Sequence, residues 1–440
     1  MSRIKSLLSG LLLAIVVVAG VAAWILLPWQ ALLAVAVLLI AWMVATRSGR
    51  QAGSVTHVGI STLPQRIGAS SVVVIGIAGV VGVLVALLAM AEGYRQTVAA
   101  TGNEDTAIVL RGGSAAEVMS VMEREALLAA AQAPEIARDA DNRPLASAEL
   151  VVAANLPRRG QADEDGSVQL RGVDPVAWAV RPGMRIVEGR TFESGRRELV
   201  VGQGARRQFA GLDPGGEIRL GSDVWTVVGV FASGDALESE IWADAGIVAT
   251  TYRRGSSRNS ITARLTSPDA FSAFKATLEA DPRLKVEADT TAEYFSRQSE
   301  GMTKVLRIIG IVVGSIMAVG AVFGALNTMF ATVAARAREI ATLRAIGFRG
   351  LPVVVAVMLE TMLLAALGGA LGGLIAWLVF NGYTASTLAG GVGQLTFEFR
   401  VTPELLWNGL KWALAIGFVG GLFPAVRAAR LPVTDALRAA

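Results

Sequence analysis

The 440-residue sequence predicts a membrane α-helical protein with six spans and a mixed α/β domain inserted on the outside between spans three and four. Three observations carry that prediction. Hydrophobic residues make up 53% of the chain before its 48 glycines are counted, whereas soluble proteins reach about 45–50% with glycine included. Charged residues are only 17%, against about 25% in soluble domains. Finally, the apolar residues fall into long runs broken by one large polar stretch, 93–300, whose 24 basic and 30 acidic side chains leave a net charge of −6. The rest of the chain holds 16 basic and six acidic side chains, so its basicity lies beside the apolar runs.

About 20 apolar residues at 1.5 Å rise cross a 30 Å hydrocarbon core. The first such run is Leu7–Leu27 and the second Trp29–Ala45, with Pro28 between them ending the first helix and predicting a tight hairpin. A retained hairpin is preferred to a cleaved leader, because 21 apolar residues exceed the usual 7–15 of a leader's core. The third run is Ser70–Ala91; Ile308–Ala335, Leu351–Phe380 and Leu405–Ala425 follow the polar stretch. Thr402, Pro403 and Glu404 suit the cap and first turn of the last helix.

Orientation follows from the basic flanks. Arg3, Lys5, Arg47, Arg50, Arg66, Arg336, Arg338, Arg344, Arg349, Arg427, Arg430 and Arg438 fall on one side; Lys304, Arg307, Arg400 and Lys411 fall on the other. Both termini are therefore cytoplasmic and 93–300 lies outside. The expected order is a hairpin over 1–46, a linker and elbow over 47–69, a span over 70–92, the outside domain over 93–300 and a three-span domain over 301–440.

The outside domain alternates strand-like and helix-like segments. Strands are expected at Thr106–Arg111, Glu149–Ala154, Ser167–Val173, Glu198–Val201, Glu217–Leu220, Val224–Phe231 and Ser260–Leu265. Ser120 and Glu123 form a capping-box pattern opening a helix to about Gln132, and a second helix runs from Ser267 to about Ala280. Leu156–Gly166 reads as a loop tip. Its Asp163-Glu164-Asp165 run is a hydrated loop, since a calcium site needs more oxygen ligands at set spacing. From about Thr291 the pattern turns helical and runs straight into the fourth span.

Several functions are excluded. A nucleic-acid binder needs a basic face on a folded domain, and the polar region here is acidic. Without cysteine there is no disulfide framework, thiolate metal site or cysteine nucleophile. The one histidine, His57, sits in a linker as a solvated loop residue, far from any intramembrane serine it could serve as base. The five lysines follow Ile4, Phe274, Leu284, Thr303 and Leu410, so no Gly-Lys dipeptide can grip nucleotide phosphates. No catalytic, cofactor or metal site is expected, and nucleotide-driven work would need a separate ATPase.

The connection Arg336–Gly350 is the most informative stretch. Its residues form a short amphipathic helix, with Ile340, Leu343 and Ile346 on one face, charges at Arg336, Arg338, Glu339 and Arg344, and Gly347 before Phe348 ending it. On its own terms it is an interfacial helix meeting lipid headgroups. Asn327 and Glu360 are polar groups inside spans, where ionisable residues are rare; an ion pair of Glu360 with Arg336, Arg338 or Arg344 is the preferred reading. Glycines recur four apart at Gly310/Gly314, Gly320/Gly324, Gly368/Gly372, Gly369/Gly373 and Gly417/Gly421, a spacing that lets helices approach closely in lipid.

LNTMFATVAARAREIATLRAIGF at 326–348, then Glu360 and Gly368-Gly369, then Gly421, Pro424, Ala425, Arg427, Ala428, Ala429, Pro432, Ala436 and Leu437 resemble the FtsX/MacB/LolCE-type (type VII) ABC permeases. Arg171–Gly189 and Val224–Val230 resemble that family's MacB-like periplasmic core domain. The likeness covers about 60–440 and leaves the hairpin Leu7–Ala45 as an addition to the family's four-span unit. It implies an inner-membrane permease for efflux that is not itself an enzyme, with ATP and magnesium held by a separate ABC ATPase. Arg336–Phe348 would be the coupling helix docked on that ATPase, and the motion would reach the periplasmic domain by mechanotransmission. A second permease would pair through span four, and a periplasmic adaptor and an outer-membrane channel are the further partners. The family also contains FtsX-like regulators of periplasmic hydrolases and LolCE-like permeases that extract lipoproteins; both remain alternatives.

Overall fold

The computed structural model describes residues 19–21, 23–281, 284–389 and 393–430. In chain order its helices and strands are α1 (Trp29–Ala45), α2 (Arg47–Ser61), α3 (Ile67–Ala99), β1 (Thr106–Arg111), α4 (Arg124–Ala130), β2 (Ala146–Arg158) and β3 (Gln161–Val173). There follow α5 (Ala177–Val180), β4 (Arg185–Gly189), β5 (Glu198–Gly202), α6 (Gln203–Gln208), β6 (Glu217–Leu220), β7 (Asp223–Ala232), β8 (Glu240–Asp244), α7 (Ala245–Thr251), β9 (Ser260–Arg264), α8 (Ala270–Ala280) and β10 (Val286–Thr290). The chain continues through α9 (Thr291–Ala335), α10 (Ala337–Ala345), α11 (Gly350–Phe380), β11 (Thr384–Ala389), β12 (Gly393–Glu398) and α12 (Pro403–Arg430). Short 3₁₀ turns lie at Leu63–Arg66, Glu117–Met119 and Ala236–Ser239.

The chain divides into two compact units. One comprises Met1–Met90, Leu306–Asn381 and Arg400–Ala440; the other comprises Ala91–Val305 and Gly382–Phe399. Among the described residues four helices are long and apolar enough to cross a membrane: Leu63–Ala99, Thr291–Ala335, Gly350–Phe380 and Pro403–Arg430.

Within the first unit, glycines set the packing distances. A β-carbon at Gly372 would lie 2.4 Å from the Ala78 carbonyl oxygen, and one at Gly368 would lie 2.8 Å from that of Val74. Gly310 and Gly314 abut Leu87 and Leu84 of the same helix, α3. Gly369 faces Ala413, while Gly417 and Gly421 face Ala365 and Thr361, joining α11 to α12. In lipid, where no hydrophobic force draws helices together, such backbone approach supplies the dispersion contact that holds them. Gly320 and Gly324 alone among these pairs have nothing within 4 Å of a built β-carbon.

The N-terminal region differs from expectation. Ala19–Leu26 and α1 are bent by 107° at the Leu27–Pro28 break, a corner instead of the tight antiparallel return the two runs predict. No residue of α1 is buried in this chain. Trp24 Nε1 donates to the Lys411 carbonyl at 3.1 Å, and Lys411 Nζ donates to the Ile25 carbonyl at 2.6 Å. Lys411 is thus a buried contact of α12 instead of a free flanking charge. The rest of the Leu7–Leu27 run, Arg3 and Lys5, and the closing-motif residues Pro432, Ala436, Leu437 and Arg438 lie outside the described residues.

The second unit is built on a ten-stranded mixed sheet in the order β10-β1-β9-β2-β3-β8-β5-β7-β4, with β6 paired to β7. Pairs β3–β8 and β5–β7 are parallel; the others are antiparallel. One core gathers Leu170, Val201, Phe209, Trp225 and Ile241, and another gathers Val109, Ile136, Ile261 and Phe274. Leu156–Gly166 is no loop tip. Strands β2 and β3 continue to Arg158 and from Gln161, with Gly160 in the left-handed region (φ +84°) closing the turn. Glu164 and Asp165 are exposed on that strand. The helix expected from Ser120 begins only at Arg124, because the Ser120 hydroxyl accepts from the Arg111 N–H at 2.9 Å instead of capping. His57 is exposed, but on helix α2 and not in a loop.

Residues 301–440 do not form a single domain. Gly382–Phe399 belongs to the second unit, where β11 and β12 pair as a hairpin. Thr396 N–H donates to Ser239 Oγ at 2.9 Å, and Phe397 meets Tyr94 edge-to-face at 5.6 Å.

Candidate functional site: a capped helix over a buried ion-pair node

Helix α9 stops at Ala335 because Arg336 leaves helical geometry (φ −98°, ψ 9°), and α10 begins at Ala337. Its other end is closed by Gly347 at φ +105°. Phe348 N–H donates to the Leu343 carbonyl at 3.1 Å and Gly347 N–H to that of Arg344 at 3.2 Å. These two bonds are the Schellman closure, which needs a residue without a β-carbon in the left-handed conformation. A nine-residue helix thus stands between two sharp joints.

Its faces are not those expected. Each three-residue step turns 300° and falls 60° short of a full circle, so Ile346 points about 120° away from Ile340. Ile340 accordingly packs with Met329, Val333, Val353, Val357 and Ala425, while Ile346 is 69% exposed. Arg338 and Glu339 are exposed and Arg344 is half-buried. Leu343 and Phe348 line a groove of about 620 Å³ whose opposite wall is Val55 and Val58 of α2.

Beneath that groove lies Glu360, buried on α11. Arg336 Nη1 donates to Glu360 Oε2 at 2.9 Å, and Arg336 Nε donates to Glu339 Oε2 at 3.0 Å. Of the three arginines expected for Glu360, Arg336 is the partner. Arg66, which the sequence did not suggest, brings Nη1 to 3.6 Å from Glu360 Oε1 and donates from Nη2 to Thr62 Oγ1 at 2.6 Å. The fourth side is closed by α2, where a β-carbon on Gly59 would lie 3.1 Å from Glu360 Oε2. Two carboxylates and two guanidiniums balance, so the cluster carries no net charge.

On α9, Ile316, Gly320, Phe323, Gly324 and Asn327 are all exposed. Their spacing places them along one helical stripe, so a polar amide sits on an apolar face left exposed among the described residues.

The second unit contains a different charged cluster. Arg171 on β3, 2% exposed, donates to Glu117 (2.9 and 3.0 Å), Glu149 (2.8 Å) and Glu240 (2.7 and 2.9 Å). Arg181 donates to Glu149 at 2.7 and 2.8 Å and lies 5.3 Å from the Trp242 ring centroid. Ser260, Gln169 and Trp242 donate to the remaining lone pairs of Glu117 and Glu240. Burial alone would lower the Arg171 pKa, but Glu117 and Glu240 hold it well above the usual arginine range. Likewise burial pushes the Glu149 carboxyl up, and Arg181 and Arg171 bring it below its ordinary value. With all six carboxylate oxygens engaged, the cluster ties β2, β3 and β8 to the Glu117 turn and offers no reactive group.

Long apolar helices packed through glycine, a doubly jointed helix between two of them and a mixed-sheet unit define the class of polytopic membrane proteins with an inserted α/β domain. Residues 70–281 match the model of the MacB-like periplasmic core domain, and 311–433 match that of the FtsX-like permease C-terminal domain. The chain belongs to the FtsX/MacB-type ABC transporter permease family, and is a membrane protein with a periplasmic domain. It is 26% identical over 301 residues to the macrolide export ATP-binding/permease protein MacB of Vibrio parahaemolyticus, covering 63% of this chain and 43% of that protein. To the pyoverdine export ATP-binding/permease protein PvdT of Pseudomonas aeruginosa it is 26% identical over 390 residues, 83% of this chain and 55% of that one. The chain therefore spans about half the length of these curated relatives. The solved periplasmic region of MacB from Actinobacillus actinomycetemcomitans aligns with 43% of this chain and 90% of its own, at 13% identity and a TM-score of 0.34.

Proposed function

We propose that this chain is the permease subunit of an ABC export system, in which a separate ATPase subunit pushes on Arg336–Phe348 and the movement is delivered to the periplasmic domain. The observation that carries the reading is α10 itself. It is short, capped at its C-terminal end and packed on one face through Ile340, and it presents Ile346, Arg338 and Glu339 outward beside an apolar groove. A docking element needs that rigidity together with an apolar contact and charged flanks. We assign the ATP-binding function in the relatives' names to a separate subunit; these 440 residues contain no Gly-Lys dipeptide to grip nucleotide phosphates. No catalytic or cofactor-binding role is proposed for these 440 residues.

The unbroken run of α9 from Thr291 to Ala335 supports mechanical transmission, since a helix without an internal break resists compression. Six spans in the inner membrane are part of this proposal, and the basic flanks support an orientation with both termini and α10 cytoplasmic and 93–300 periplasmic. A second permease is assigned to the open stripe of α9, where Gly320 and Gly324 lack the neighbours that every other glycine pair has. An adaptor and an outer-membrane channel complete the proposed export route. The word export in the relatives' names favours this reading over hydrolase regulation.

The test is purification of the tagged full chain from its native membranes. The wild type should retain an ABC ATPase and its ATP turnover. A Glu339→Ala/Arg344→Ala variant should lose at least tenfold of both while its periplasmic domain stays equally resistant to trypsin. Undiminished ATPase recovery and turnover in that variant would refute the assignment.

A further inference from the structure

Helix α10 hangs between two joints, and its Arg336 joint would swivel if nothing fixed it. We propose that Glu360 is the positioning residue that locks this joint, so that a push on α10 moves α11 instead of being absorbed at Arg336. The consequence rests on the coupling reading above; the lock itself does not.

Arg336 is the joint residue, and its guanidinium is held at both ends, by Glu339 on α10 at 3.0 Å and by Glu360 on α11 at 2.9 Å. The second oxygen of the same carboxylate faces Arg66, from the turn that leads into α3. Arg66 Nη1 is buried, has no hydrogen-bond partner and stands 3.6 Å away, so the third arm is an ion pair without a hydrogen bond. The backbone of α2 at Gly59 closes over the carboxylate with no room for a β-carbon at ordinary contact distance. One buried carboxylate therefore collects four elements, and beside it Ile340 of α10 packs in one cluster with Val353 and Val357 of α11. Removing one partner of a charge pair shielded from water leaves an uncompensated buried charge, so the pair resists being broken even where its net contribution to stability is small. Arg336 also lines the groove between α2 and α10, so whatever fills that groove reaches the lock directly.

The chain has no cysteine, so spin labels attach only where thiols are introduced. Ser54→Cys on α2 and Thr342→Cys on α10 flank the groove and lie outside the lock. In the full-length protein in lipid nanodiscs, the label-to-label distance distribution should be a single narrow peak. Glu360→Gln should widen it at least twofold, and Arg336→Gln should do the same from the other side of the bond. The double variant should widen it by less than the two single variants added together, because both break the same Arg336–Glu360 bond. Distributions as narrow as wild type in the single variants would overturn the proposal, and so would additive widening in the double. No ATPase is present in this measurement, so failure of the docking reading would appear in the co-purification alone.

Discussion

Replacing Arg171 by methionine removes the one cation that serves three buried carboxylates. Glu149 keeps Arg181, but Glu117 and Glu240 lose the one positively charged hydrogen-bond donor they have among the described residues while remaining almost fully buried. Breaking a buried ion pair by removing one partner costs about 3–5 kcal/mol, roughly two to three and a half powers of ten in an opening equilibrium. An Ala243→Cys probe on β8 gives the readout, since Ala243 is fully buried and no other thiol exists. Labelling of that thiol in the full-length protein should accelerate by at least about a hundredfold in Arg171→Met. Adding Glu117→Gln and Glu240→Gln should recover most of the loss, because polar groups removed together leave no stranded charge. An acceleration below tenfold, or no recovery in the triple variant, would refute the view that Arg171 neutralises this core.

Three further outcomes follow from the same units. Burial pushes the Asp235 carboxyl up to about 6, although Ser233 Oγ and Leu237 N–H both donate to it. The folded form then holds the proton more tightly than an unfolded chain with a pKa of about 3.9, so its stabilising contribution is complete below about pH 3.9 and is lost as pH rises through 6. Hydrogen exchange of the 233–239 loop, corrected for intrinsic rates, should show less opening at pH 5 than at pH 7.5; Asp235→Asn should abolish the difference, and a reversed sign would contradict the assignment. Among the glycines, Gly372→Ala should destabilise the membrane unit because its β-carbon meets a backbone oxygen at 2.4 Å. Gly320→Leu/Gly324→Leu should leave the thermal stability of the isolated chain unchanged and weaken only its self-association, measured by analytical ultracentrifugation; a loss of stability would count against an open stripe.

Long periodic patterns were legible in the sequence, whereas contacts between distant residues were not. The apolar helices, the continuous helix from Thr291 and most strands of the mixed sheet follow from runs of hydropathy and alternation, which act locally. Strands β4, β8 and β10 were not among those expected, and length is not the reason, since β5, β6 and β9 are as short or shorter. The β11–β12 hairpin hides among glycines in a connection that hydropathy reads as a loop. Ser120 carried a capping signature, but tertiary contact with β1 claimed its hydroxyl. At the candidate site, Glu360 and Arg336 stood out as ionisable groups at a span's end, while Arg66 comes from a turn far earlier in the chain and carries no local signal. The apolar trio Ile340, Leu343 and Ile346 misled because a spacing of three, repeated, drifts around the helix instead of marking a face.

The most direct measurement of the central claim is a cross-link from Ile346, the apolar side chain that α10 exposes most fully. With Ile346→Cys as the only thiol, a cysteine-reactive photo-cross-linker on inside-out membrane vesicles should capture an ATP-binding subunit of an ABC system, identified by mass spectrometry. Capture of lipid alone, or of another copy of this chain with no ATPase, would contradict the account.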